Sequence, residues 1–363
     1  MSFLRQIQLI QYRNYNKFSE QFTQQIVCFC GKNGVGKTNL LDAIYSMCCC
    51  KSYFNRTDAS NTTHELKGHR IDGWFVNQLD SDEKVSLIFR ENNKKEICLN
   101  DVPYEKFSYH LGKFPCIMIA PDDVEIINGS SELRRKFIDA ILSQTNFTYL
   151  QKLVTYNNIL QQRNALLKQW QNQANHSLEL IDVLNNQLEP IGNYIFNERK
   201  KFLENFIETV NTLYHDIAKS HETIELAYNC QLLETSFNDL LQKNLQQDIF
   251  LQRTTVGIHK DDIEILLNKN KFKQIASQGQ KKSLLYALKV AAWQYIFNTT
   301  GKSPLLLLDD IFEKLDEQRL MSLLKIIIQQ PNIQIFITHT QAEKLQEVFS
   351  GLNKEVQIIN VAI

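Results

Sequence analysis

A glycine-rich motif near the start of the chain restricts the fold more than any other feature. It reads Gly31-Lys32-Asn33-Gly34-Val35-Gly36-Lys37-Thr38 and fits the phosphate-loop pattern G-x-x-x-x-G-K-[ST]. The apolar run 25–30 before it predicts a strand, and the spacing of Leu41, Ile44 and Cys48 after it predicts a helix. A strand, a glycine loop and a helix in this order indicate an α/β nucleotide-binding domain.

Each part of this motif has a physical role in holding a nucleoside triphosphate. The glycines let backbone N–H groups converge on phosphate oxygens, and the following helix directs its positive end at them. Lys37 can neutralise the charge of the β- and γ-phosphates, and the Thr38 hydroxyl is a ligand for Mg²⁺. The motif therefore predicts nucleotide binding with Mg²⁺.

Composition excludes several other classes of protein. The 363 residues suggest two or three domains at ~150 residues each. Forty basic residues balance forty acidic ones, so any contact with nucleic acid must come from a local patch. No apolar run approaches the ~18 residues of a membrane helix, and the eight cysteines lack a metal-binding or disulfide-scaffold spacing. We expect a cytoplasmic protein with reduced cysteines.

The middle of the chain has the periodicity of helices. Between about residues 130 and 220, apolar residues recur at three- and four-residue spacing, as at Ile181, Leu184, Leu188, Ile191 and Ile195. These helices are too short for an extended coiled coil. We interpret this block as a lobe inserted into the surrounding α/β domain.

This pattern predicts three segments. Residues 1–128 form the first part of an ATP-binding lobe I, residues 129–252 a mainly helical lobe II, and residues 253–363 the rest of the ATPase head. The predicted fold class is therefore α/β with an inserted, mainly helical lobe II.

Three motifs in the last segment carry further chemistry. Ser277-Gln278-Gly279-Gln280 precedes a predicted helix, so its hydroxyl and N–H groups form either an anion site or an ordinary helix cap. Leu305-Leu306-Leu307-Leu308-Asp309-Asp310 predicts a buried strand ending in two carboxylates. Asp309 can hold Mg²⁺, and Asp310 either activates the attacking water or caps the next turn. His339 follows another predicted strand.

These motifs resemble those of a known superfamily in kind and order. The loop continued through Ile44 resembles the ATP-binding heads of the ABC and SMC superfamily and, more closely, the RecF family. Residues 277–282 resemble the signature motif, 305–310 the Walker B strand, Lys314-Leu315-Asp316 the D-loop, and Ile337-Thr338-His339 the switch histidine. Shorter matches lie at 11–15, 120–123, 134–139, 162–168 and 257–262. The resemblance covers nearly the whole chain and implies that the α/β part is a P-loop ATPase head of the ABC type (lobe I) with the helical lobe II inserted in it.

The resemblance implies a site shared by two copies of the chain. Residues implied to bind ATP are Gly31, Lys32, Asn33, Gly34, Val35, Gly36, Lys37, Thr38 and Asn39, with Arg13, Asn14, Ser277, Gly279 and Gln280. Residues implied to act in hydrolysis are Lys37, Asp310 and His339, and those implied to hold Mg²⁺ are Thr38 and Asp309. The signature of one copy would bind the γ-phosphate held by the other, so ATP would drive formation of a homodimer. Hydrolysis would be slow and act as a switch.

The resemblance also implies partners in recombinational DNA repair. These are double-stranded DNA at single-strand gaps, RecR, and RecO and RecA in the same pathway, with roles in replication restart and SOS induction. Three basic clusters could contact DNA or be solvated helix faces: Arg134-Arg135-Lys136, Arg199-Lys200-Lys201 and Lys281-Lys282. Asp122 or Asp123 is the candidate equivalent of the glutamine loop.

Other functions fit the sequence less well. An ABC transporter subunit has the same ATP-binding motifs but carries the signature L-S-G-G-Q, whereas this chain has Ser277-Gln278-Gly279-Gln280. A small GTPase needs N-K-x-D, and Asn268-Lys269-Asn270-Lys271 ends in lysine. A nuclease-bearing relative would need an added metal-carboxylate domain. A binding module whose hydrolysis is vestigial stays open as an alternative.

Overall fold

The computed structural model describes residues 3–76, 81–170, 178–219, 222–313 and 316–362. The chain divides into two compact units. The first unit contains Met1–Asp123, Leu213–Ser220 and Gln278–Ile363, and the second contains Val124–Thr212 and His221–Ser277. The second unit therefore ends at Ser277, beyond the limit of 252 expected for lobe II. The D-loop residues Lys314 and Leu315 lie outside the described residues.

The strands follow one another along the chain as follows. They are β1 (Phe3–Tyr12), β2 (Tyr15–Gln21), β3 (Ile26–Cys30), β4 (His69–Val76), β5 (Asp82–Phe89), β6 (Lys95–Leu99), β7 (Val102–Pro103), β8 (Cys116–Ile119), β9 (Ile224–Asn229), β10 (Asp262–Leu267), β11 (Asn270–Lys271), β12 (Leu305–Leu308), β13 (Gln334–His339) and β14 (Gln357–Asn360).

The helices alternate with these strands in the first unit and dominate the second. They are α1 (Lys37–Cys49), α2 (Glu125–Asn128), α3 (Ser131–Thr145), α4 (Phe147–Trp170), α5 (Leu178–Ala218), α6 (Phe237–Lys243), α7 (Leu245–Leu251), α8 (Phe272–Ile275), α9 (Gln278–Thr300), α10 (Glu317–Ile328) and α11 (Ala342–Gly351). Short 3₁₀ turns lie at Ala59–Asn61, Phe107–Tyr109, Pro121–Val124, Gln231–Leu233, Ile258–Lys260 and Ile311–Glu313.

A parallel sheet forms the centre of the first unit. Its strand order is β14-β3-β13-β12-β8. Every residue of β3, β8, β12 and β13 is buried, as expected for parallel strands covered on both faces. This burial explains why Leu305–Leu308 is a continuous apolar run rather than an alternating one.

An antiparallel sheet in the same unit has the order β2-β1-β4-β5-β6-β7. Helix α1 contacts strands of both sheets, and its side chains are buried on nearly all sides. Its residues Leu40, Leu41, Ile44 and Met47 are fully buried in the main hydrophobic core. The position of α1 matters for function because its first turn follows the glycine loop directly.

The second unit combines long helices with a small antiparallel sheet. Helices α3 and α4 lie between 131 and 170, and α5 spans 178–218, so the described residues confirm the predicted helical region of about 130–220. The sheet has the order β11-β10-β9, and β10 pairs with β9 along its whole length. This pairing explains why the second unit extends to Ser277, since β10 lies after residue 252 in sequence.

The predicted α/β class with a helical insertion is confirmed. The strands expected at 25–30, at 305–308 and before His339 appear as β3, β12 and β13. None of the described helices is both long and apolar enough to cross a bilayer.

Candidate functional site

The candidate site residues converge on one edge of the parallel sheet. The glycine loop follows β3, His339 ends β13, Asp309 follows β12, and Pro121 begins the turn after β8. The strands are in register, with Cys30 opposite His339. Because carboxyl ends of parallel strands share an edge, motifs far apart in sequence become neighbours. Gly31 N–H donates to the His339 carbonyl at 3.2 Å, which joins the loop to β13 directly.

The glycine loop has a backbone that side chains rarely tolerate. Gly34 and Gly36 have φ values of 86° and 96°, in the left-handed region. Gly36 is also the N-cap of α1, so the loop leads straight into the positive end of that helix. This geometry matches the predicted phosphate-binding function of the loop.

Asn14 supports the loop from the β1–β2 turn. Its Nδ2 donates to the Val35 carbonyl at 3.0 Å, and its Oδ1 accepts from Asn39 Nδ2 at 2.7 Å. A Cβ atom on Gly36 would lie only 2.3 Å from Asn14 Nδ2. This close approach and the positive φ both favour glycine at position 36. Binding of ATP by Asn14 and Asn39 stays a prediction.

Arg13 contacts α1 rather than the glycine loop. Its buried guanidinium is paired with Asp42, the residue that also accepts from the Tyr12 hydroxyl at 3.0 Å. Asp42 is completely buried and accepts from the Ser52 hydroxyl and the Tyr53 N–H as well. Arg13 therefore positions the helix that carries the loop, and its direct contact with ATP stays a prediction.

Lys37 closes over the loop that precedes it. Its Nζ donates to the carbonyls of Gly31 at 2.7 Å and Lys32 at 2.9 Å. The side chain is almost fully buried. These contacts hold the ammonium group at the concave side formed by its own loop, where phosphate charge would be neutralised.

Thr38 and Asp309 meet although they are 271 positions apart. The Thr38 hydroxyl lies 3.0 Å from both carboxylate oxygens of Asp309, and the Thr338 hydroxyl donates to the same carboxylate at 2.8 Å. Burial raises the pKa of the Asp309 carboxyl, and the hydrogen bonds from Thr338 and Thr38 oppose that rise. A hydroxyl and a carboxylate are hard oxygen ligands, so this pair fits Mg²⁺.

Asp310 and His339 lie beside this pair. Asp310 has a φ of 48°, an uncommon conformation for a residue other than glycine, and its N–H donates to the Thr338 hydroxyl at 3.0 Å. Non-glycine residues in this region are concentrated at functional sites. The His339 ring is buried against Phe312 with ring centroids 4.9 Å apart. The roles of Asp310 and His339 in hydrolysis stay predictions.

The signature motif lies at the start of α9. Ser277 is exposed, Gln278 begins the helix, and Gly279 and Gln280 are half-buried. Asp316, the last residue of the D-loop, caps α10 by accepting from the Arg319 N–H at 3.0 Å. The rest of the D-loop lies outside the described residues.

A buried lysine on α9 was missed by the sequence patterns. The Lys289 ammonium lies 2.9 Å from the Asp123 carboxylate and donates to the Tyr53 hydroxyl at 2.9 Å and the Met118 carbonyl at 2.8 Å. Asp123, one candidate for the glutamine-loop equivalent, is therefore engaged, whereas Asp122 is exposed. One sequence feature could have indicated that Lys289 is buried: it lies on the same predicted helix as the apolar residues Leu284, Leu288 and Ala291.

Two arginines considered as DNA contacts are buried in the second unit. Arg134 pairs with Asp262, with Nε 2.7 Å from the carboxylate. Arg199 pairs with Asp139 and Asp261 at 2.9 and 3.2 Å. These two arginines are therefore neither phosphate contacts nor part of a solvated helix face, because their ion pairs lie inside the unit. Lys136, Lys200 and Lys201 in the same clusters are exposed.

Comparisons with known proteins identify the family. A family model described as an AAA ATPase domain matches residues 3–283. The DNA replication and repair protein RecF of Flavobacterium johnsoniae is 37% identical over 358 residues, which cover 99% of both chains. The chain belongs to the RecF family. The RecF protein of Phocaeicola vulgatus is 35% identical, covering 99% of this chain and 96% of that protein.

Solved RecF structures share the whole fold of this family member. The RecF-ATPrS and RecF-ATP forms, each described as the recombination mediator protein of the RecFOR pathway, cover 94% of this chain with TM-scores of 0.86 and 0.87. Their sequence identities are 28% and 27%, and 93% and 92% of those chains are covered. An Smc head domain from Pyrococcus furiosus, with a TM-score of 0.55 and 15% identity, is similar in fold alone. The resemblance to the RecF family is confirmed, and the similarity to Smc heads is one of fold.

Proposed function

We propose that this chain is an ATP-dependent DNA-binding protein of recombinational repair, in which ATP joins two copies of the chain. One observation carries the proposal: the Thr38 hydroxyl and the Asp309 carboxylate lie 3.0 Å apart beside a glycine loop at the start of a helix. Their meeting unites two motifs from opposite ends of the sequence. The family membership and the RecF-ATP relative support ATP as the nucleotide.

Each residue of this site has a proposed role in holding ATP. The loop N–H groups and Lys37 bind the β- and γ-phosphates, while Thr38 and Asp309 hold Mg²⁺. When bound, Mg²⁺ neutralises part of the negative charge on the phosphate oxygens. Asn14 and Arg13 keep the loop and α1 in place, since their hydrogen bonds end on Val35 and Asp42.

The signature motif supplies the proposed link between two copies. Ser277 is exposed at the start of α9, where a hydroxyl and helix N–H groups can receive a phosphate from outside the chain. In the proposed dimer, Ser277, Gly279 and Gln280 of one copy contact the γ-phosphate of ATP held by the other. Because ATP makes these contacts only in the closed dimer, its binding favours the dimer over the monomer.

Hydrolysis would open the dimer again. Asp310 would orient or deprotonate the attacking water, and His339 would contact the same region from the end of β13. Aspartate has a shorter side chain than the glutamate usual in ABC ATPases, so we propose slow turnover that serves as a switch. The chain would then be a weak ATPase rather than a metabolic enzyme.

Exposed lysines provide a proposed DNA surface. Lys136, Lys200 and Lys201 are exposed in the second unit, and Lys281 and Lys282 are half-buried at the start of α9. A dimer presents each of these groups twice, so affinity for DNA can be substantial although the net charge is zero. The RecFOR pathway of the relatives suggests gapped duplex DNA, with RecR as a direct partner and RecO and RecA acting in the same process.

The test is the size of the protein in solution with ATP, Mg²⁺ and gapped duplex DNA. We expect the wild-type chain to become dimeric with ATP and the Lys37→Ala variant to stay monomeric, because the γ-phosphate loses its cation. Lys51→Ala is the matched control, since Lys51 is an exposed lysine just after α1. A wild-type chain that stays monomeric at saturating ATP and Mg²⁺, with DNA present, would refute the proposal.

A further inference from the structure

A neighbouring side chain occupies the space beside the signature glycine, where a Cβ atom would otherwise lie. Gly279 lies in the first turn of α9 and is not among the residues with positive φ. A Cβ atom at this position would lie 2.0 Å from Arg319 Nη1 and 3.0 Å from Arg319 Cζ. The guanidinium of Arg319 therefore rests directly on the Cα atom of Gly279.

Arg319 is held in this place from α10. Its N–H donates to the Asp316 carboxylate at 3.0 Å, and its Nη1 lies 3.2 Å from the same carboxylate. The Asp316 side chain is 55% exposed and that of Arg319 is 28% exposed, so this ion pair is weak and in contact with solvent. The guanidinium is thus positioned between the D-loop carboxylate and the signature glycine.

A guanidinium in this position has capacity for another anion. It carries five N–H donors in a planar fork, more than one carboxylate can accept. The fork matches two oxygens of a phosphate group, and guanidinium is less strongly hydrated than ammonium. An anion that approaches the first turn of α9 would therefore meet Arg319 as well as the helix N–H groups.

We propose that Arg319 binds the γ-phosphate of the ATP held by the second copy of the chain, beside the signature motif. The inference rests on the proposed ATP-driven dimer. The inference adds a cation that acts across the dimer interface. Arg319 packs against the signature motif, which the ATP of the other copy would reach. It also gives Gly279 a physical reason, since any side chain there would displace the guanidinium.

Substitution of Arg319 should leave ATP binding by a single copy of the chain intact but impair the reaction that needs two copies. We expect Arg319→Ala to retain the ATP affinity of the monomer within about twofold. We also expect it to reduce hydrolysis by about 10²-fold, the usual effect of removing one donor from a charged transition state. Arg319→Lys should recover only part of the activity, because an ammonium cannot form the planar fork. Lys325→Ala is the control, since Lys325 is an exposed cation on the same helix.

Mixing two inactive variants tests whether Arg319 acts across the interface. In a mixed dimer, the Arg319→Ala copy supplies an intact glycine loop and the Lys37→Ala copy supplies an intact Arg319. One complete site is then restored, so we expect the mixture to hydrolyse ATP well above the residual rate of either variant alone. A mixture that stays inactive would overturn the proposal, because Arg319 would then be needed by its own loop.

Two results distinguish failure of the proposed role of Arg319 from failure of the proposed ATP-driven dimer. A wild-type chain that stays monomeric with ATP overturns both. A wild-type chain that dimerises, with Arg319→Ala equal to Lys325→Ala in dimerisation and hydrolysis, overturns the role of Arg319 alone. If the melting temperature of Arg319→Ala falls, Arg319→Gln serves in the same assays, because it keeps most of the side-chain volume without the charge.

Discussion

Replacing Lys289 by methionine should destabilise the first unit strongly. The lysine and Asp123 side chains are only 5% and 10% exposed, and their charged atoms are 2.9 Å apart. Methionine keeps the apolar stem but removes the ammonium. Asp123 then keeps a buried charge whose remaining donors, among the described residues, are the Ala120 N–H at 2.8 Å and the Tyr53 hydroxyl. Burial raises the pKa of Tyr53 well above its ordinary value, so its hydroxyl stays a donor.

The expected loss follows from the cost of an unpaired buried charge. Removing one partner of such a pair lowers the free energy of unfolding by about 3–5 kcal/mol. For a unit of this size, that loss corresponds to a fall in melting temperature of ~10 °C. Adding Asp123→Asn to Lys289→Met removes the second charge. The double variant should therefore lose about 0.5–3 kcal/mol less free energy of unfolding than the two single variants lose together.

Urea unfolding followed by tryptophan fluorescence measures this loss. Trp293 lies one turn after Lys289 on α9 and is buried, so it reports the packing of that helix. Lys344→Met is the control, because Lys344 is exposed on α11 and its loss should change stability by no more than about 0.5 kcal/mol. A Lys289→Met variant within about 1 kcal/mol of wild type, or strictly additive effects in the double variant, would refute the reasoning.

Three further predictions concern acid stability, hydrolysis and DNA binding. Burial lowers the pKa of His110 from 6.5 to about 4, so this residue binds a proton more readily in the unfolded chain, and its contribution to stability should fall by about 1.4 kcal/mol per pH unit as pH drops from 6.5 towards 4. Urea melts across that range should show a shallower slope for His110→Gln, and an unchanged slope would contradict this assignment. Asp310→Asn should keep ATP-driven dimerisation but lose turnover in a phosphate-release assay, whereas normal turnover would show that Asp310 is not the base. Combining Lys200→Ala with Lys201→Ala should weaken binding to duplex DNA and reduce the salt slope of affinity by about 1–2, and an unchanged slope would exclude these lysines from the DNA surface.

Motif chemistry made the position of the candidate site predictable in outline. The glycine loop, the apolar strand ending at Asp309 and the strand ending at His339 were identified from local patterns, and the structure brings all three to one sheet edge. Such motifs are readable because a loop or a buried strand depends mainly on residues adjacent in sequence. Their order along the chain then identified the family.

Charge patterns were less informative than motifs. Arg134 and Arg199 belong to basic runs that suggested DNA contacts, yet both are buried in ion pairs with distant aspartates. A basic run has the same appearance in sequence whether its side chains face solvent or a carboxylate. Only Lys200 and Lys201 of the second run retain an exposed position.

The amino-acid sequence determined the α/β class, the helical insertion and the position of the glycine loop before α1, since each depends on spacing within a few residues. Tertiary structure alone decided that Thr38 meets Asp309, that Lys289 is buried against Asp123, and that Arg319 covers Gly279. These contacts join residues from separate elements. A side chain's chemistry depends on the neighbours that folding places around it, and spacing along one element carries no information about them.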